Sequence, residues 1–182
     1  MSEPPKPDRL TRPDWIDHGL RTLARRGPAA LKVGPMAQAL KVSRGSFYWH
    51  FRDIADFRAQ LLATWRLRSV ENVIRELDSQ AEPDRLKYLM RRAFSIKLSL
   101  ERAIRAWAVE DPQAAAAVQT VDAGRAAYIA GLLVSAGVEA AKAQARAGFI
   151  YWAYLGQAVV VDPRHASLRP EALDDISDLF EG

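Results

Sequence analysis

Apolar side chains recur every three to four residues along most of this 182-residue chain, and no stretch alternates apolar with polar as a half-buried strand would. The pattern predicts an all-α fold. Over residues 13–26, Ile16, Leu20, Leu23 and Ala24 form one stripe, which Gly27 closes as a C-terminal cap. Gly19 inside that stripe gives up about 1 kcal/mol of helix propensity relative to Ala, so close packing or simple tolerance must account for it. Met36, Ala37 and Leu40 make a second, short stripe. After a break at Lys41-Val42-Ser43, Val42, Phe47 and Phe51 make a third. Helices this short are unstable alone and have to share one core.

Further along, Asp53 and Asp56 are placed to cap a long fourth helix running toward Asp78, with Phe57, Leu61, Leu62 and Trp65 apolar. Glu82-Pro83 opens a fifth helix whose stripe of Leu86, Leu89, Met90, Ala93 and Phe94 extends to Leu100. A shorter piece with Ile104, Trp107 and Ala108 follows. Asp111-Pro112 reads as N-cap and first helical residue ahead of Val118, Val121, Tyr128, Leu132 and Leu133, and Gly137 stops that helix. The last long helix covers residues 139–161 up to Asp162-Pro163, and Pro170 begins a short terminal one with Leu173, Ile176 and Leu179. Pro4, Pro5 and Pro7 with Lys6 and Arg9 mark residues 1–10 as a disordered arm.

The two short helices carry the candidate chemistry. With Phe47 and Phe51 inward, a step of about 100° per residue turns Gly45, Ser46 and Trp49 outward and leaves Arg44, Tyr48 and His50 on the flanks. Ser43 is placed to cap this helix with its hydroxyl. A helix start bearing Arg44, with Gly45 leaving room for close approach, suits a major groove lined by base acceptors and phosphates. The segment is therefore a candidate helix-turn-helix, against the plain reading of a structural hairpin. Aromatic runs are usually core, and Phe47 and Phe51 are read so, but Tyr48 and Trp49 cannot share their face.

Charge strengthens that picture. Residues 1–68 carry 13 Lys or Arg against 6 Asp or Glu, while the remainder carries 13 against 16. A basic first third on a mildly acidic remainder fits a nucleic-acid-binding head on a body with another task. Cysteine is absent, which removes disulfides and thiolate chemistry and fits a reducing cytoplasm. The first residues lack an apolar stretch, and no later one reaches the ~20 apolar residues of a membrane span.

Leu23, Ala24, Gly27, Leu31, Val33, Met36, Ala37 and Leu40, followed by Val42-Ser43-Arg44-Gly45-Ser46-Phe47-Tyr48-Trp49-His50-Phe51 and Asp53, resemble the tetracycline-repressor-like (TetR) family of bacterial transcription regulators. The resemblance covers roughly residues 11–62. It implies that Arg44 and Gly45 approach base edges, with Ser46 beside them, and that Tyr48, Trp49 and His50 hold phosphates. Two positions depart from the family pattern. Lys32 stands where Thr or Ser is usual, exchanging a cap for a possible phosphate contact. Ile54 replaces a cation, leaving Arg52 and the free amides of the fourth helix to grip the backbone.

For the body, residues 147–161 are apolar almost all round, so that helix needs cover on two sides. The expectation is a two-fold homodimer with a four-helix interface, formed by this helix and the Ala-rich helix over 113–136, although the centre of a single core is the simpler alternative. The expected domains are residues 11–62 as DNA-binding head and 63–182 as sensing and dimerising body. The resemblance implies a body pocket for a small-molecule effector that releases DNA. Candidate lining residues are Met90, Phe94, Trp107, Tyr128 and Trp152, each of which could equally be plain core. Lys97 could anchor an anion there, pair with Glu101, or simply snorkel.

His18, His50 and His165 are scattered, and neither a nucleophile elbow nor a phosphate loop occurs, so no catalytic residues, cofactor or metal are expected. The expected function is a cytoplasmic DNA-binding repressor on a palindromic operator. The competing class is a helical ligand-binding or adaptor protein that shares the fold without recognising an operator.

Overall fold

The computed structural model describes residues 10–79, 84–160 and 168–182. Helices account for the regular structure among them, and no strand occurs there. None of these helices is long and apolar enough to cross a membrane.

Helix α1 (Arg12–Arg26) starts at a reciprocal cap: the Thr11 hydroxyl accepts the Asp14 N–H at 3.4 Å and the Asp14 carboxylate accepts the Thr11 N–H at 2.7 Å. A 3-10 turn at Pro28–Ala30 leads to α2 (Val33–Ala39), then α3 (Arg44–Tyr48) and α4 (Ile54–Ser69). Gly19 sits where α1 crosses α4. A methyl group there would lie 2.5 Å from the Phe57 ring, so close packing, not tolerance, explains this glycine.

The predicted long fourth helix is in fact two. At Val70 the backbone leaves helical space (φ −125°, ψ −70°), and α5 (Glu71–Ser79) begins. Tertiary contacts account for the break. Val70 nestles against Gly124 of α8 (Pro112–Ser135), and Arg125 of that helix donates to the Ser69 carbonyl at 3.4 Å. Local pattern could not reveal a partner fifty residues away.

The expected fifth helix is also divided. Glu82-Pro83 lies outside the described residues; α6 (Arg85–Ser95) opens on Asp84, whose carboxylate accepts the Lys87 N–H at 3.1 Å. It stops at Ser95, where Ile96 turns extended, and α7 (Ser99–Ala108) begins after a short connection. Asp111 caps α8 by accepting the amides of Gln113 and Ala114, as its Asp-Pro pair predicts, and Gly137 at φ 97° ends the turn after it. Helix α9 (Ala140–Gly156) stops short of the expected 161; Asp162-Pro163 is outside the described residues. In α10 (Pro170–Glu181), Leu173 is buried but Leu179 is exposed, because the inward face runs through Ser177 instead.

Two hydrophobic cores result. The first joins Trp15, Leu23, Phe47, Phe51, Phe57 and Leu61 to Ile104 and Trp107 of α7 and Val118 and Val121 of α8. The second packs Leu86 and Met90 of α6 with Leu133, Ala147, Ile150 and Tyr154 of α8 and α9, and Leu173 of α10. The head is thus seated directly on the first half of the body. Residues 1–9 of the expected arm lie outside the described residues, while Leu10 is packed against the first core.

Candidate nucleic-acid interface and body cavity

The turn between α2 and α3 is fixed by the backbone. Lys41 takes the left-handed conformation at φ 57°, its N–H reaches the Gln38 carbonyl, and the Val42 N–H reaches back to Ala37 at 3.0 Å. A non-glycine residue in this region is strained, so surrounding contacts must hold it. Phe47 then anchors α3: it is fully buried and meets Trp15, Phe51 and Phe57 at centroid distances of 5.3, 5.1 and 5.3 Å.

That anchoring turns the other side of α3 outward. Arg44 and Gly45 are exposed, Tyr48 is 58% and Trp49 80% exposed, and Ser46 is half-buried. Large aromatics left this open on a five-residue helix form a surface available to a partner. Gly34, which drew no notice in the sequence, gives Arg44 its space. A Cβ on Gly34 would stand 3.1 Å from an Arg44 guanidinium nitrogen, so the arginine lies across the start of α2. Lys32 is exposed at the N-cap of α2 and makes no side-chain cap.

At this face Ser43 and the start of α4 depart from expectation, and His50 has a partner within the chain. Ser43 stands at the N-cap of α3, but its hydroxyl caps nothing, and the Ser46 N–H is met by the Ser43 carbonyl instead. His50 directs Nε2 to the Leu10 carbonyl at 2.9 Å, so it ties the chain's start to α3 with one ring nitrogen. Of the amides at the start of α4, that of Asp56 is already taken. Asp53 accepts the Asp56 N–H at 2.8 Å, Asp56 accepts the Arg52 N–H at 3.0 Å, and Arg52 pairs with Asp53 at 3.4 Å. The backbone hydrogen bond from Asp56, aided by Arg52, holds the Asp53 carboxyl below its usual range. These carboxylates occupy the helix start where a phosphate would sit.

The body encloses a cavity of about 620 Å³ between α1, α4, α5, α6, α7, α8 and α9. Met90, Phe94, Lys97 and Tyr128 line it as expected. Trp107 and Trp152 do not. Trp107 is buried in the first core beneath the head, and Trp152 is 70% exposed on the outer side of α9. Lys97 lies in the connection between α6 and α7, so the i,i+4 pairing with Glu101 fails. That carboxylate is instead taken by Arg105 at 2.8 Å and Arg125 at 3.1 Å.

Sequence reading missed the network around Glu101. Arg105 also pairs with Asp122 at 2.5 Å, Tyr151 donates its hydroxyl to Asp122 at 2.6 Å, and Arg125 stacks over Tyr154 at 5.1 Å. Burial alone would raise the Asp122 pKa, yet hydrogen bonds from Arg105 and Tyr151 outweigh it and hold the carboxyl low. The i,i+4 spacing of Glu101 and Arg105 and the i,i+3 spacing of Asp122 and Arg125 were local traces of the network. A second carboxylate cluster, Asp84, Asp178 and Glu181, has Lys87 bridging Asp84 at 3.0 Å and Asp178 at 2.5 Å, so an ammonium already serves there as the cation.

Residues 16–61 match the family described as bacterial regulatory proteins, tetR family. The HTH-type transcriptional regulator AcrR of Shigella flexneri is 33% identical over 72 residues, covering 40% of this chain and 32% of that protein. Over residues 16–61 the chain is therefore similar to the tetR family. Two solved structures extend the likeness of the fold to the body. The reduced form of Escherichia coli NemR superposes with a TM-score of 0.73 at 18% identity, covering 90% of this chain and 94% of that one. A regulator from Saccharomonospora viridis, solved in complex with choline, gives 0.70 at 18% identity over 91% and 92%. The tetR-family sequence match thus falls on the head, where Trp15, Phe47 and Phe57 fix the exposed face of α3, while the body shares architecture with little identity.

Proposed function

We propose that this chain is a sequence-specific DNA-binding transcriptional regulator, a repressor acting as a homodimer on a palindromic operator and released by a small-molecule effector. Residues 11–62 form the reading head and 63–182 the sensing and dimerising body. One observation carries the reading. On a helix whose inner side is locked by Phe47, the residues Arg44, Gly45, Tyr48 and Trp49 all lie open to solvent on the domain that matches the tetR family. Arg44 and Gly45 serve base edges, with Ser46 beside them; Lys32, Tyr48 and Trp49 serve phosphates. His50 and Arg52 contribute less, since each is already engaged within the chain.

The pairing of two heads is supported by the outer sides of α8 and α9. Phe149 and Trp152 of α9 are 60 and 70% exposed, and the small residues Ala141 and Ala145 of α9 and Ala127 and Gly131 of α8 are exposed too, an apolar surface of the kind a second copy covers. Symmetry then doubles the base contacts of a short reader, each worth about 1–3 kcal/mol.

The test is selection of bound duplexes from a random pool by the full-length protein. An inverted repeat is expected, and Arg44→Ala should weaken its binding by about 1–3 kcal/mol while relaxing base preference. Enrichment of no motif, or an Arg44→Ala protein that binds the selected site as tightly as the parent, would favour the adaptor reading.

A further inference from the structure

The cavity's walls are sorted by charge, and the sorting says what enters. Its depth is formed by buried apolar and aromatic side chains, among them Leu20, Trp65, Met90, Leu98, Ile129 and Ile150. Its exposed lining residues, which mark the mouth, are Arg21, Arg68, Ile96 and Lys97. Three of those four are cations.

The pairing of these charges is lopsided. Every carboxylate lining the cavity is already satisfied: Asp17 by Arg68 at 2.7 Å, and Glu101 by Arg105 and Arg125. One aromatic face of the lining, that of Tyr154, is already taken by the protein's own guanidinium, Arg125. A cationic guest would therefore find no open anion and would have to displace an internal ion pair. Arg21 and Lys97, by contrast, have no ion-pair partner among the described residues.

From this we infer that the effector is an amphipathic anion, its apolar part filling the depth of the cavity and its acidic group held at the mouth by Arg21 and Lys97. The inference rests on the effector-responsive reading above and narrows it to a ligand class. It also gives the ligand a direct hold on the head, because Arg21 belongs to α1, the helix that carries Trp15 and Gly19 into the aromatic core. An anion drawn between Arg21 and Lys97 links the head's first helix to the connection between α6 and α7.

The experiment compares decanoate, decanol and decyltrimethylammonium, all below their micelle concentrations, by titration calorimetry on the full-length protein. Decanoate should bind at least tenfold tighter than decanol, and decyltrimethylammonium more weakly than either. Arg21→Gln with Lys97→Gln in one chain should bring decanoate down to the affinity of decanol; a circular dichroism spectrum like the parent's certifies that this variant is folded. Equal or tighter binding of the ammonium, absence of binding by all three, or a preference for decanoate that survives the double substitution would each overturn the inference. Operator binding by the ligand-free protein is read separately. If it fails while the decanoate preference holds, the regulator reading falls and the ligand class stands; if operator binding holds and the preference is absent, the reverse is true.

Discussion

Around Phe47 four aromatic rings meet at centroid distances of 4.9 to 5.3 Å, whereas around Glu101 the body's interior is held by two arginines, an aspartate and a tyrosine hydroxyl beside an open cavity. The head is filled; the body is propped open. Ring packing depends on shape and admits few alternatives, which suits a domain that must present α3 in one orientation. A charged network resists collapse around a void because its members need one another and are costly to bury singly. The difference gives the head a close-packed interior and the body an open one.

The comparison is broken most directly at Phe47. Phe47→Ala should cost about 3–5 kcal/mol in urea unfolding, because the ring is wholly enclosed and its neighbours come from three helices. A loss below about 1 kcal/mol would mean the head repacks freely and its interior is not close-packed.

Glu101→Gln probes the other side. It leaves Arg105 with Asp122 but strips Arg125 of its carboxylate partner, and about 3 kcal/mol of stability should go with it. The substitution should also change decanoate affinity, since Arg125 lines the cavity, while leaving the packing of Phe47 intact. Near-neutral stability would show that water reaches the network and that the body is looser than its ion pairs suggest.

The smallest effect is a matter of pH. The Asp122 pKa is depressed in the folded protein below its ordinary 3.8, so its contribution is complete above that value and is lost as pH falls through the lowered one. Relative to Asp122→Asn, the parent should therefore lose stability on acidification from about pH 5 to about pH 2, measured as urea midpoints. Parallel curves for the two proteins would remove Asp122 from the network's energetics.

Legibility in the sequence followed the range of the interactions. The helix-turn-helix was readable because Met36, Ala37 and Leu40, then Phe47 and Phe51, sit at helical spacing on two short stripes, with Gly45, Ser46 and Trp49 opposite the second and Arg44 and Tyr48 on its flanks. Asp111-Pro112 and Gly137 marked the ends of α8 for the same local reason. The cavity was only half readable. Met90, Phe94, Lys97 and Tyr128 line it, but nothing local separates the side of α9 that faces inward at Tyr151 from the side that turns Trp152 to solvent.

By itself the sequence determined a helical chain, the basic head, the outward face of α3, the bounds of α1 and α8 and the starts of α4 and α10, because propensity, caps and apolar spacing act over a few residues. Tertiary structure alone decided the break at Val70, the diversion of His50 to the Leu10 carbonyl, the seat of Trp107 under the head and the alliance of Glu101 with Arg105 and Arg125. Most of these join groups more than twenty residues apart or on different helices. Their energies exist only once packing has brought the groups together and removed the water between them.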